Sequence, residues 1–275
     1  MINILLDFTQ KVGHKLRLMQ QNVENICNKD TSVESLVTKA DVYVSDFFEK
    51  VIKKHFSHLN YMIIDEEKIS RYGKDIFEKI NNTEYQFVID PIDGTLQYAN
   101  NHPLYGISIG VYKNTKPLLG ILYLPKLNEM AYFDGQKAYW VQNCFKKKEV
   151  KIELFPKEKS DSSIVFGHSW LWELTSEFSV QKAVFLDYYS AVSQSFYPLI
   201  GKGKAYCMSL KLWDIAGTIP LANYLGMKIY EYGTDKTYDR ISPEFFNTDM
   251  KTKNKCVMCY PADYKELCGW LKPKM

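Results

Sequence analysis

Asp90-Pro91-Ile92-Asp93-Gly94-Thr95 closes a short apolar run, Gln86 to Ile89, and its reading governs the rest of the chain. A run of that length bounded by acid and proline reads as a strand. Proline fixes its own φ and carries no backbone donor, so the chain leaves the regular ladder at Pro91. The carboxylates of Asp90 and Asp93 can then turn toward one point beyond the strand end. Oxygen ligands of this kind suit a hard cation such as Mg²⁺, and the Ile92 carbonyl between them can lend another oxygen. Gly94 lets the backbone approach a ligand closely, while Thr95 sets a hydroxyl where a helix begins and free N–H groups attract phosphate. The alternative reading of these six residues is an Asp-rich turn with a helix cap.

Working outward, a second apolar run, Tyr61 to Ile64, also stops in acid, at Asp65-Glu66-Glu67. Glu66 lies 24 residues before Asp90, far enough for a return connection and a neighbouring strand. Upstream, Leu5, Phe8, Val12, Leu16, Met19, Val23 and Ile26 recur in steps of three and four, which predicts one helix over roughly 3–28. Thr38-Lys39-Ala40-Asp41 fits a capping box ahead of a second amphipathic helix carrying Val44, Phe47, Val51 and Phe56. Downstream, 104–142 reads as an antiparallel meander with turns at Asn114–Pro117, Pro125–Asn128 and Asp134-Gly135.

The lysine-rich stretch 145–160 reads as a boundary, giving an N-terminal α+β subdomain over 1–145 and a C-terminal α/β subdomain over 146–275. Strand-like runs at 164–166, 183–186, 205–207 and 227–230 alternate there with helical ones at 171–178, 191–199 and 214–225. Within the last, Trp213-Asp214-Ile215-Ala216-Gly217 sets an acid at a helix start with small residues behind it. An aspartate there also complements the helix dipole, a contribution of about 0.3 to 1 kcal/mol.

The 275 residues carry 46% hydrophobic and 24% charged side chains and a net charge of +3, which excludes a disordered or fibrous chain and gives no basic surface that would mark a nucleic-acid partner. No apolar run approaches the length of a membrane span, so no membrane is expected and a cytoplasmic location is. The six cysteines are too sparse for a secreted disulfide framework. Cys256 and Cys259 have CxxC spacing, but their neighbours Val257, Met258 and Tyr260 favour a structural strand.

Together, DEE at 65–67, DPIDGT at 90–95 and WDIAG at 213–217 resemble, in order and separation, the inositol monophosphatase family, part of a wider superfamily with fructose-1,6-bisphosphatase. The likeness runs from the first helix to about Gly233. It implies an α/β (α+β) fold, a layered αβαβα sandwich, and hydrolysis of a small phosphorylated polyol or sugar with two or three Mg²⁺ ions. Carried over, Glu66, Asp90 and the Ile92 carbonyl hold one ion, and Asp90, Asp93 and Asp214 a second. Gly94 and Thr95 receive the phosphate, Thr95 and Glu66 orient the attacking water, and Asp41 supports Thr95. Ser190 borders the substrate, and Lys211, three before Asp214, either meets a second anionic group on the substrate or is a solvated loop lysine. Relatives are often dimers, so a homodimer is expected.

The chemistry suits the residues. Phosphate monoesters hydrolyse very slowly in water, and divalent cations answer both the weak nucleophile and the anionic phosphate. Departures from the family pattern touch the substrate end: Leu96, Gln97 and Tyr98 follow Thr95, Tyr189-Ser190-Ala191 replaces a smaller cluster, and Cys207 stands where inositol-type members carry an acid. Adenosine 3′,5′-bisphosphate nucleotidase or fructose-1,6-bisphosphatase activity is the alternative, and a catalytically silent metal- or phosphate-binding module the reading from another class. A haloacid-dehalogenase-like phosphatase would need its aspartates two apart, whereas these are three apart.

Overall fold

A computed structural model describes residues 1–22, 25–28, 36–167 and 182–271. Helix α1 (Ile2–Met19) buries Leu5, Phe8, Val12 and Leu16, the stripe its periodicity predicts. It is shorter than expected. A 3₁₀ turn at Gln20–Asn22 follows, and Asn25–Asn28 forms strand β1, paired antiparallel with β2 (Leu36–Thr38). Helix α2 (Lys39–Phe56) starts where the capping box places it; the Thr38 side chain lies outside the described residues. Its buried face runs through Val44, Phe48, Ile52 and Phe56, with Phe47 and Val51 only packed against it.

Strand β3 (Tyr61–Asp65) is joined through a 3₁₀ segment and helix α3 (Ile76–Asn81) to β4 (Tyr85–Asp93), and the two pair in parallel with Asp65 opposite Ile89. Helix α4 (Thr95–Ala99) follows, then the meander β5 (Gly106–Lys113), β6 (Lys116–Leu124), β7 (Glu129–Phe133), β8 (Ala138–Gln142) and β9 (Val150–Leu154). These complete a seven-stranded sheet in the order β3 to β9. Strand β9 corrects the boundary drawn at 145: Val150-Lys151-Ile152-Glu153-Leu154 alternates like a strand, but its lysine-rich surroundings mask that period.

The second sheet is mixed, with β10 (Ile164–Gly167), β11 (Val184–Leu186), β12 (Ala205–Met208), β13 (Lys228–Glu231), β14 (Thr237–Tyr238) and β15 (Cys256–Cys259) in the order β11-β10-β12-β15-β13-β14. Helix α5 (Ala191–Leu199) follows β11. The helix expected over 214–225 is two helices, α6 (Leu212–Ile215) and α7 (Thr218–Leu225). Pro220, with no N–H to donate, fits the first turn of a new helix and not the middle of a continuous one. Helix α8 (Pro261–Trp270) ends the described chain, and the helix expected over 171–178 lies outside it.

Alternating side chains assign the layers. On β4, Phe87 and Ile89 join a core with Leu5, Phe8, Val12, Val44 and Phe48 of α1 and α2. Val88, facing the other way, joins a core with Val192, Phe196, Ile219 and Leu221 of α5 and α7, which also takes Tyr206, Met208 and Met258 from the second sheet. That sheet's far face packs Cys207, Val257 and Cys259 against Leu267 and Trp270 of α8. The result is an αβαβα sandwich. Cys256 and Cys259, three apart on one strand, fall on opposite faces and in different cores, so they cannot share a ligand. Among the described residues no helix is long and apolar enough to cross a membrane.

Candidate active site

A β-bulge positions the first two acids. Asp90 pairs with Ser108 and Asp93 with Gly106, so three steps along β4 face two along β5. Residues three apart on a regular strand point to opposite faces, and the extra residue at Pro91-Ile92 brings both carboxylates to one side. Because β3 and β4 run in parallel, Glu66 leaves the end of β3 beside them. Gly94 then takes φ +78°, and an added Cβ would meet Ser190 Cβ at 3.0 Å and the Leu104 carbonyl at 3.3 Å. Thr95 opens α4, its hydroxyl 3.0 Å from the Ile92 carbonyl and 3.4 Å from Asp41 Oδ1.

Asp214 arrives from the other half on a seam of backbone contacts. The turn Ala216-Gly217 lies against β5 and β6 so closely that a Cβ on Gly217 would sit 2.3 Å from the Ile121 carbonyl, and one on Gly110 would sit 2.3 Å from the Ala216 carbonyl. Hydrogen bonds fix the same contact: Gly217 N–H donates to Ser108 Oγ at 3.1 Å, and Tyr112 OH donates to the Ala216 carbonyl at 2.9 Å. Lys211 N–H donates to Asp214 Oδ2 at 2.8 Å, aiming the carboxylate back over the start of α6.

The outcome is a cluster in which Asp90, Asp93 and Asp214 each present an oxygen within 4.8 Å of the others. Asp90 is buried, and its Oδ1 has no hydrogen-bond partner among the described residues. Burial first, then the charges of Glu66, Asp93 and Asp214, push its carboxyl well above the usual carboxylate range. Burial also raises Asp214, reinforced by Asp93 and Glu66. Asp93 is raised to about 6 by burial, against the opposing pull of donors from α5. Those donors are the Ser190 hydroxyl and the backbone N–H groups of Ala191 at 2.9 Å and Val192 at 2.7 Å. Acids crowded into a low-dielectric place with an oxygen unpartnered are the condition a divalent cation relieves.

Glu66, Asp90, Ile92, Asp93, Gly94, Thr95, Lys211 and Asp214 line one cleft of about 510 Å³. Asp41 is buried behind it, next to Thr95. Ser190, expected beside the substrate, is instead buried as the N-cap of α5, its hydroxyl occupied by Asp93 and Ser193. Cys207 is also out of the cleft, because the alternation of β12 turns it toward α8. Lys211 lines the cleft with its ammonium paired to Asp249 at 2.7 Å. Sequence reading missed Ser209 and Lys251 as lining residues, while Tyr189, read as part of the substrate-end cluster, does line the cleft. Lys251 carries no local signal, since an isolated bridge to Lys211 brings it there from 40 positions away.

A family model described as "Inositol monophosphatase family" matches residues 1–238. The chain belongs to the inositol monophosphatase family. Among curated proteins it is 31% identical over 124 residues to a fructose-1,6-bisphosphatase/inositol-1-monophosphatase of Aquifex aeolicus, covering 45% of this chain and 38% of that protein. A Thermotoga maritima protein of the same description is 33% identical over 140 residues, covering 49% and 50% respectively. The chain thus spans half or less of the length of these two relatives. A solved structure described as an IMPase/NADP phosphatase with Mg²⁺ and phosphate superposes with a TM-score of 0.74 at 17% identity, over 98% of this chain and 94% of that one. At that identity the match establishes the inositol monophosphatase fold.

Proposed function

We propose that this chain is a Mg²⁺-dependent phosphomonoesterase acting on a small phosphorylated polyol or sugar. The observation that carries the reading is the convergence of Asp90, Asp93 and Asp214 within 4.8 Å, with a buried oxygen of Asp90 unpartnered among the described residues. An all-oxygen donor set fits Mg²⁺ better than zinc or copper. Asp90, Asp93, Asp214, Glu66 and the Ile92 carbonyl would hold the ions, with Asp90 at the centre. A bound divalent cation supplies charge neutralisation for the phosphate and acidifies water at neutral pH.

The chain's own groups do the positioning. Thr95 Oγ1 donates its proton toward the Ile92 carbonyl or Asp41, which leaves its lone pairs for a proton of the attacking water. Glu66, at the cleft wall, accepts that water's other proton. The N–H groups of Gly94 and Thr95 face the phosphate because the left-handed turn at Gly94 opens the backbone there. No nucleophilic side chain is required, as expected for phosphoryl transfer governed by placement and electrostatics.

Phosphate release from inositol 1-phosphate with Mg²⁺, in EDTA and in Asp90→Asn tests the reading. Release should need the ion and fall by about 10²- to 10³-fold or more in the variant. Equal release in EDTA, or an Asp90→Asn protein as active as the parent, overturns it.

A further inference from the structure

The 3₁₀ segment Glu66–Arg71, which carries Glu66, is fixed by charge more than by packing. None of its residues is buried, and Ile69 alone packs, half-buried, against the core shared by α5 and α7. Asp65 caps the segment at one point, the Glu67 N–H. Glu66 shares its cleft with Asp90, Asp93 and Asp214, and like charge at close quarters pushes the segment outward. Something must oppose that push.

Each residue of a 3₁₀ helix advances a third of a turn, so Lys68, two after Glu66, points away from it, and Arg71, three after Lys68, lies on the same side as Lys68. That side meets α2. Lys68 Nζ contacts Asp46 Oδ1 and Glu49 Oε2, both at 2.8 Å, and Arg71 Nη1 reaches the same Glu49 oxygen at 3.3 Å. Glu49 Oε1 pairs with Lys53 at 3.1 Å. Lys68 foremost holds the Glu49 carboxyl down at about 2, so the pair stays charged near neutral pH. The Lys68 side chain is 13% exposed and that of Arg71 57%, so salt screens the Arg71 contact first and Lys68 carries the connection. Glu49, Lys53, Lys68 and Arg71 line a cleft of about 330 Å³ that shares no residue with the one holding the acids. We infer that Lys68 is a positioning residue: by tying the 3₁₀ segment to Asp46 and Glu49 of α2, it keeps Glu66 at the cleft against the repulsion of the other acids. The inference rests on the hydrolase reading above and assigns a task to a residue that reading does not use. Lys68 touches neither ester nor ion; it acts through Glu66.

The test measures kcat, KM and the Mg²⁺ concentration for half-maximal rate with inositol 1-phosphate in the parent, Lys68→Met, Lys68→Arg, Glu49→Gln and Glu66→Gln proteins and in the Lys68→Met/Glu66→Gln pair. Lys68→Met should lower kcat by about tenfold or more, as small misplacements of a reacting group do, with KM for the ester within about twofold. It should raise the Mg²⁺ requirement by about tenfold, the usual size of losing a group that orients a ligand. Lys68→Arg, whose fork can reach both carboxylates, should bring both quantities back to within about threefold of the parent. Glu49→Gln, which takes away the shared acceptor, should move both in the direction of Lys68→Met. In the Glu66→Gln background Lys68→Met should cost little more, because the group it acts through is already neutral. Parent-like kcat and Mg²⁺ requirement in Lys68→Met, or a loss that adds in full to that of Glu66→Gln, overturns the assignment while leaving the hydrolase intact. No phosphate from any ester overturns the hydrolase reading instead. Hydrogen exchange then judges the tether by itself: without ester or ion, the amides of 66–71 should exchange about tenfold faster in Lys68→Met than in the parent, and equal rates overturn it.

Discussion

Parallel neighbours β3 and β4 both finish in acid at the same end of one sheet, yet their carboxylates live differently. Asp65 is buried with both oxygens engaged, Oδ2 by Ser45 Oγ at 2.6 Å and Oδ1 by Glu67 N–H at 3.0 Å. Burial pushes its carboxyl up, and those two donors pull it back. Asp90 is equally buried, but Oδ1 has no partner among the described residues and four acids surround it. Burial alone therefore does not mark a site acid. The separating property is whether the fold itself satisfies the carboxylate.

The sharpest way to break this contrast exchanges the charge one residue apart. Glu66→Gln should lower turnover by about 10²-fold or more with little change in Tm, since Glu66 faces the cleft. Asp65→Asn should do the reverse, lowering Tm while the folded protein keeps its turnover. If both variants fail in the same way, the two strand ends are not distinct. Steady-state kinetics with Mg²⁺ and thermal melts read the two axes separately.

Less drastic is a pH scan without ions. Asp93 in the folded chain titrates near 6 instead of its ordinary 3.8, so between those values the native state binds more protons than the unfolded one. Stability in EDTA should thus fall as pH rises from about 4 to 7, by ~5 °C in Tm, and Mg²⁺ should restore it above pH 6. A Tm in EDTA that climbs through this window would show that the raised carboxyls of the cluster do not govern stability there. Smallest is Ser45→Ala, which strips one donor from Asp65 and should cost about 1 to 2 kcal/mol in denaturant melts with kcat unchanged.

Much of this was legible beforehand because the determining residues are adjacent in sequence. DPIDGT carries its own bulge, left-handed turn and hydroxyl, and the periodicities of α1, α2 and β5 to β8 read directly. What was not legible depends on distant partners. Ser190 reads as a cleft residue until the N-terminus of α5 is seen to close on Asp93. Cys207 reads as standing where inositol-type members carry an acid, and its place becomes visible only when the phase of β12 is fixed by pairing with β15, which turns it toward α8. Lys251 reaches the cleft through its bridge to Lys211 and the hydrogen bonds of Thr252 with Leu210 beside it, all long-range pairings. Strand β9 was hidden by composition, its alternation diluted by the lysines beside it.

The glycine seam has a practical corollary for redesign. Because main chain rests on main chain at Gly110, Gly120 and Gly217, the vertex supplied by Asp214 is registered against β4 without help from neighbouring cleft side chains. Tyr189, Ser209, Lys211 and Lys251 hang from the rim outside that joint. On the proposed hydrolase reading, libraries confined to those four positions should retune which ester is chosen while the chemistry at the backbone-fixed acids stays in place.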